Sequence, residues 1–164
     1  MSKLGAFPSR EILLIHPSTE DLENALEAWQ WIGLDGLDVI AVSAFGDVFL
    51  LAKDEAVLHL DIIGGQLAPI AQSVSALVAK LADDDVRDQI LLEGLVIAAR
   101  NRGLLLAAGE CYDFQQPPVL GGEMTADSIE KVAFVVKVDL AGQLHEQLKD
   151  LPPGTPIDTI TIEN

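Results

Sequence analysis

Three short apolar segments, residues 37–44, 48–53 and 57–62, follow one another with only three residues in each gap. No other feature of the chain constrains its fold as strongly. Each segment is rich in Val, Ile, Leu and Phe, residues that suit a pleated, half-buried surface. Phe45-Gly46-Asp47 and Asp54-Glu55-Ala56 are connections of hairpin length. Gly64-Gly65 offers another turn before residues 66–70. An antiparallel meander is expected.

Helices are expected on either side of it. Ser18 or Thr19 caps a segment that carries Glu20, Asp21 and Glu23 in its first turn, where the helix dipole favours acids. Leu22, Ala25, Leu26 and Trp29 follow at i, i+3, i+4, i+7 and define one buried stripe. Trp29 and Trp31 stand where this helix ends, and Gly33 and Gly36 punctuate its exit. A second helix starts at Ser73 and buries Val74, Leu77, Val78 and Leu81. Asp83-Asp84-Asp85 ends it and caps a third, expected over about residues 86–101 with Gly94 at a close crossing. Residues 132–138 alternate like a strand, residues 140–148 suit a helix, Pro152-Pro153-Gly154 suits a turn, and Ile157, Ile160 and Ile162 suggest a terminal strand.

Residues 109–122 fit neither period. This stretch holds the sequence's one Cys and one Tyr, and Pro117-Pro118 fixes two φ angles before Gly121-Gly122. A rigid, apolar loop packed against the body is expected. Helices and strands alternate without a βαβ rhythm, so the fold class is α+β: a single domain with an antiparallel meander packed against helices. Residues 1–18 read as a loosely held N-terminal arm with a short apolar stretch, and residues 19–164 as the domain.

The formal net charge of −16 is unevenly spread. Residues 19–61 hold ten acids and one Lys, and residues 110–164 hold ten acids and three Lys, whereas residues 62–109 hold five acids and four bases. Two acidic segments brought together form a face that repels nucleic acid and steers basic proteins toward it. The longest apolar runs fall well short of the roughly 20 residues that cross a bilayer, so no membrane association is expected. The N-terminus has no apolar run of signal length, and a single Cys suits a reducing compartment, so the expected location is cytoplasmic.

The sequence carries little that resembles a catalytic or metal site. His16, His59 and His145 have no Cys or His at metal-ligand spacing, so no metal is expected. His59 and Asp61 share one face of a strand and resemble a base with its orienter; a cross-strand hydrogen bond is the plainer reading. Cys111 sits between Glu110 and Asp113, which oppose thiolate formation and favour a structural role. The acidic triplet at residues 83–85 lacks the glycine and spaced Glu of a calcium loop. No glycine pattern cradles a phosphate. No enzyme, no catalytic residue and no cofactor are expected.

Six segments together resemble a bacterial family: Phe45-Gly-Asp-Val-Phe-Leu-Leu51, Val57-Leu-His-Leu-Asp61, Gly109-Glu-Cys-Tyr112, Pro117-Pro-Val-Leu-Gly-Gly122, Gly142-Gln-Leu-His145 and Leu151-Pro-Pro-Gly-Thr155. The chain looks like the C-terminal domain family of immunity proteins against type VI secretion DNase effectors. In that family the domain commonly follows a GAD-like domain. The resemblance implies a small α+β domain that binds and neutralises a toxin encoded beside it, without catalytic residues or cofactor. A DNA-gripping nuclease presents a basic groove, and an acidic partner covers it by imitating phosphate charge. The expected contact residues are Glu20, Asp21, Glu23 and Glu27, with Asp35, Asp38 and Trp31 as an aromatic anchor. The alternative is a general protein-interaction or regulatory module with no toxin partner.

Overall fold

The computed structural model describes residues 3–152, 154–155, 157 and 160–163. Five strands, β1 (Leu14–Ile15), β2 (Asp38–Ser43), β3 (Val48–Leu51), β4 (Val57–Asp61) and β5 (Gln66–Ala71), form one sheet in chain order, every neighbouring pair antiparallel. β2 to β5 are the expected meander, and β1, from the segment read as N-terminal arm, adds a fifth strand at the edge beside β2. Gly46 and Gly65 carry the turns at φ 93° and 68°, where an L side chain would be strained.

Residues 40–50 are buried without interruption. Phe49 and Val57 face one core with Phe45, Leu77, Leu81, Val96, Tyr112 and Phe114. Val48, Leu50 and Leu60 face the other with Ala25, Leu26, Trp29, Phe134 and Val138. Because both faces of the sheet are covered, the central strands read as continuous apolar runs and lose the polar-out alternation of a half-solvated sheet.

On the first face lie α3 (Val74–Leu81), α4 (Asp84–Leu91) and α5 (Glu93–Asn101). Ser73 Oγ caps α3 by accepting from Ala76 N, and the Asp83 carboxylate caps α4 through Asp85 N and Val86 N. The single helix expected over residues 86–101 is two, broken at Leu92 in a left-handed conformation (φ 55°). Two side-chain locks replace the lost backbone continuity. Asp88 Oδ1 accepts from Gly94 N at 2.8 Å, and buried Arg87 grips both oxygens of Glu93 at 2.9 Å while also pairing with Asp84. Gly94 makes room for this cap, since a Cβ there would lie 3.3 Å from Asp88 Oδ1. The helix crossing expected at Gly94 is not what the residue serves.

The N-terminal arm is packed. Leu4 and Phe7 are buried in the first core, Lys3 N donates to Ile40 O, and Arg10–Leu13 forms the short helix α1 leading into β1. The stretch expected to be irregular opens as β6 (Glu110–Phe114), paired antiparallel with β7 (Ile129–Ala133). Cys111 enters one core while Tyr112 and Phe114 enter the other, so the strand's alternation spans both. Beyond it Pro117 is extended, a 3₁₀ turn covers Pro118–Leu120, and Gly121 closes it at φ 91°.

The strand expected over residues 132–138 ends at Ala133, and Phe134–Leu148 is one helix, α6. The period-2 pattern loses because Phe134, Val138, Ala141 and His145 also recur at helical spacing, and that face packs on α2 (Thr19–Glu27). Pro153 of the expected turn lies outside the described residues, as does part of the expected terminal strand. Among the described residues, 160–163 join no sheet; their backbone bonds to α6 instead.

Candidate interaction surface

The surface is built on the crossing of α2 and α6. Ser18 caps α2, its Oγ accepting from Asp21 N at 3.1 Å. Ala25, Leu26 and Trp29 take the inward side. What remains outward is Glu20, Glu23 and Glu27, three exposed carboxylates at i, i+3 and i+7 on one stripe. Asp21 is half-buried, and Asp35 and Asp38 are exposed on the separate connection that leads into β2.

The two helices meet closely. Gly142 lies so near the end of α2 that a Cβ on it would stand 2.7 Å from Ala28 O. Both indoles reach across this contact. Trp29 Nε1 donates to Val138 O at 2.8 Å, and Trp31 Nε1 donates to Gly142 O at 3.2 Å, one helical turn further on. The rings stack at 5.8 Å, and Lys149 Nζ lies 5.2 Å above the Trp31 ring. Trp31 is therefore a half-buried residue whose polar edge is already satisfied within the fold. Only its remaining face is available to a partner.

The tight crossing brings further acids beside Glu27. A groove of about 680 Å³ is lined by Glu27, Asp139, Glu146 and Glu163, with Gln143, Gln147 and Thr161 between them. Four carboxylates thus face one depression, and the α2 stripe runs into it. Asp139 falls outside the helix expected from residue 140, and Glu146, inside it, has no local sign that α6 packs beside Glu27. Spacing places Asp139, Gln143 and Glu146 on one side of a helix, but their meeting with Glu27 depends on the close approach at Gly142.

The histidines are occupied elsewhere. His59 Nε2 meets Asp47 Oδ2 at 2.8 Å and its ring stacks on Phe49 at 4.9 Å. The pairing with Asp61 suggested by sequence does not form; Asp61 Oδ1 accepts from Gly64 N. Asp47 Oδ1 in turn accepts from Ile62 N at 3.0 Å, so the pair fastens the β3 hairpin turn to the end of β4. Burial is the largest influence on His59 and favours the neutral ring, but the bond to Asp47 and the charges of Asp47 and Asp61 outweigh it, leaving its pKa raised. Buried His145 donates from Nε2 to Ile63 O at 3.1 Å, and burial lowers its pKa. Cys111 is fully buried, which pushes its thiol up to about 12. Among the described residues no group of three or more His, Cys, Asp or Glu is placed to hold a metal ion, and no helix is long and apolar enough to cross a membrane.

Fold and surface define an α+β protein with an acidic two-helix face. Residues 71–145, just under half the chain, match the family described as T6SS immunity protein Tdi1, C-terminal. This match supports the family suspected from the six sequence segments. A crystal structure of Atu4351 from Agrobacterium tumefaciens has a similar fold, with a TM-score of 0.50 and 18% sequence identity. The likeness covers 76% of this chain and 63% of that one, so the chain spans less than two thirds of that protein's length. No curated protein matches the chain significantly.

Proposed function

We propose that this protein is a non-enzymatic immunity protein, acting in the cytoplasm, that neutralises a basic type VI effector, a nuclease, by binding it stoichiometrically. The family match over residues 71–145 supports the immunity reading. The observation that carries the mode of action is the continuous acidic face, in which the Glu20, Glu23 and Glu27 stripe runs into the groove of Glu27, Asp139, Glu146 and Glu163. Such a face matches a surface built to grip phosphates and raises the rate of encounter with it. Asp21, Asp35 and Asp38 extend the negative field, and the open face of Trp31 offers apolar contact area at its edge. No nucleic acid or cofactor enters this mechanism.

The test is a pull-down from the native bacterium with this chain as bait, at low and high salt, followed by a DNA-cleavage assay on whatever is retained. The expected result is a basic nuclease whose activity falls to zero at an equimolar amount of the bait. A retained partner that is acidic, or a nuclease whose activity the bait leaves intact, contradicts the proposal and favours a general interaction module.

A further inference from the structure

Gln143 and Gln147 stand four residues apart on α6, and each reads a backbone. Gln143 Oε1 accepts from Glu163 N at 2.7 Å and its Nε2 donates to Glu163 O at 2.9 Å. Gln147 Oε1 accepts from Thr161 N at 3.0 Å and its Nε2 donates to Thr161 O at 2.6 Å. The geometry is matched: four helical residues rise about 6 Å, and two residues of extended chain advance about 6.6 Å. Each amide is also held from behind. Gln143 Nε2 donates to Asp139 Oδ2 at 2.8 Å, and Gln147 Nε2 donates to Gln143 O at 3.3 Å. The outward amide edges are thus oriented before any chain arrives. They make no demand on side chains, only on a backbone whose alternate residues face α6.

The segment that now occupies this reader fits it poorly in two respects. Ile160 and Ile162 line an apolar cavity together with Leu140, Leu144, Val119 and Ile63, yet about 260 Å³ of it stays unfilled. Leu140, Val119 and Ile162 remain 39%, 42% and 42% exposed with the segment in place. On the other side, Glu163 adds a carboxylate to a groove that already holds Glu27, Asp139 and Glu146. Like charges crowded together destabilise the arrangement.

We infer that the α6 groove is a docking site for an extended segment of the basic partner, one alternating large apolar residues with Lys or Arg, which displaces the chain's own residues 160–163. Its apolar residues enter the cavity beside Leu140 and Leu144, its cations meet Glu27, Asp139 and Glu146, and its backbone takes over the bonds to Gln143 and Gln147. This is strand-like recognition by main chain, with alternate side-chain pockets supplying preference. It rests on the partner being basic, as proposed above.

The test uses the full-length chain and capped peptides, so it is independent of any toxin. The probes are a peptide with a Leu-Lys-Leu-Lys core, its Lys-Lys-Leu-Leu isomer, and a peptide of residues 157–164. Binding is read by isothermal titration or by α6 amide shifts in NMR. The alternating basic peptide should bind saturably, more tightly to an Ile160→Ser/Ile162→Ser variant, whose own segment competes less. In that same background, where the chain's own segment no longer competes for the glutamines, adding Gln143→Ala/Gln147→Ala should weaken peptide binding at least about tenfold, because four hydrogen bonds to the peptide are lost. All four substituted positions are exposed or half-exposed, and circular dichroism checks that both variants fold. No saturable binding, or equal binding by the glutamine variant or by the isomeric peptide, overturns the inference. Tighter binding of the 157–164 peptide also overturns it, pointing to exchange of this segment between copies. Either failure leaves the nuclease assay above to decide the immunity reading separately.

Discussion

Replacing Gly142 by Ala sets two effects of opposite sign against each other. Helix preference alone favours the substitution by about 0.5–1 kcal/mol, because Ala loses less backbone freedom than Gly on folding. The crossing opposes it. The added Cβ would lie 2.7 Å from Ala28 O, 2.8 Å from Ala28 Cβ and 2.9 Å from Ala28 C. Two of these atoms are backbone, which no rotamer change can move aside. α2 and α6 would have to part by several tenths of an ångström, loosening the bonds from Trp29 to Val138 O and from Trp31 to Gly142 O. Overpacking of this kind costs about 1–3 kcal/mol, and the absence of a flexible neighbour places the site at the upper end. The expected net loss is about 1–2 kcal/mol, or roughly 2–8 °C in Tm for a chain of this size. Urea unfolding followed by tryptophan fluorescence measures it, since both tryptophans sit at the crossing. A gain of about 0.5–1 kcal/mol would show that helix preference dominates and that the close approach is not a constraint.

Two histidines should give opposite pH signatures. His59 has a raised folded pKa, so its pairing with Asp47 stabilises fully below the unfolded value and the benefit is lost as pH rises through the folded value. His145 has a lowered one, so its contribution is present above the unfolded value and is lost as pH falls through the folded value. Urea titrations of His59→Gln and His145→Gln across about pH 5 to 8.5 should remove the alkaline and the acid loss respectively; parallel curves for both variants would refute the assignment. Cys111, buried and with its thiol pushed up to about 12, should resist a disulfide exchange reagent at pH 8 until the protein is unfolded. Prompt reaction in the native state would contradict its burial.

The meander was legible because strand length, three-residue gaps and glycine turns all pointed to one arrangement. The caps Ser18, Ser73 and Asp83 were equally plain, since each side chain satisfies backbone donors that a helix start leaves open. What stayed hidden depended on partners distant in sequence. Nothing local in residues 132–138 reveals that Phe134 and Val138 meet Trp29, and without that contact their alternation favours a strand. The helix break at Leu92 is bridged by Arg87 gripping Glu93, a side-chain lock outside any propensity scale. The acidic stripe on α2 was readable from spacing alone. Its continuation through Asp139, Glu146 and Glu163 was not, because it exists only where Gly142 lets α6 approach α2.

In the proposed complex the acidic α2–α6 face meets the basic partner. The most direct measurement is the association rate with the retained nuclease for the chain and for Glu20→Gln/Glu23→Gln/Glu27→Gln, across a salt series. The variant should associate about tenfold more slowly at low salt, with a flatter salt dependence and a smaller difference at high salt, as screening removes the steering. Identical rates and identical salt slopes would place the contact on another face and contradict the claim.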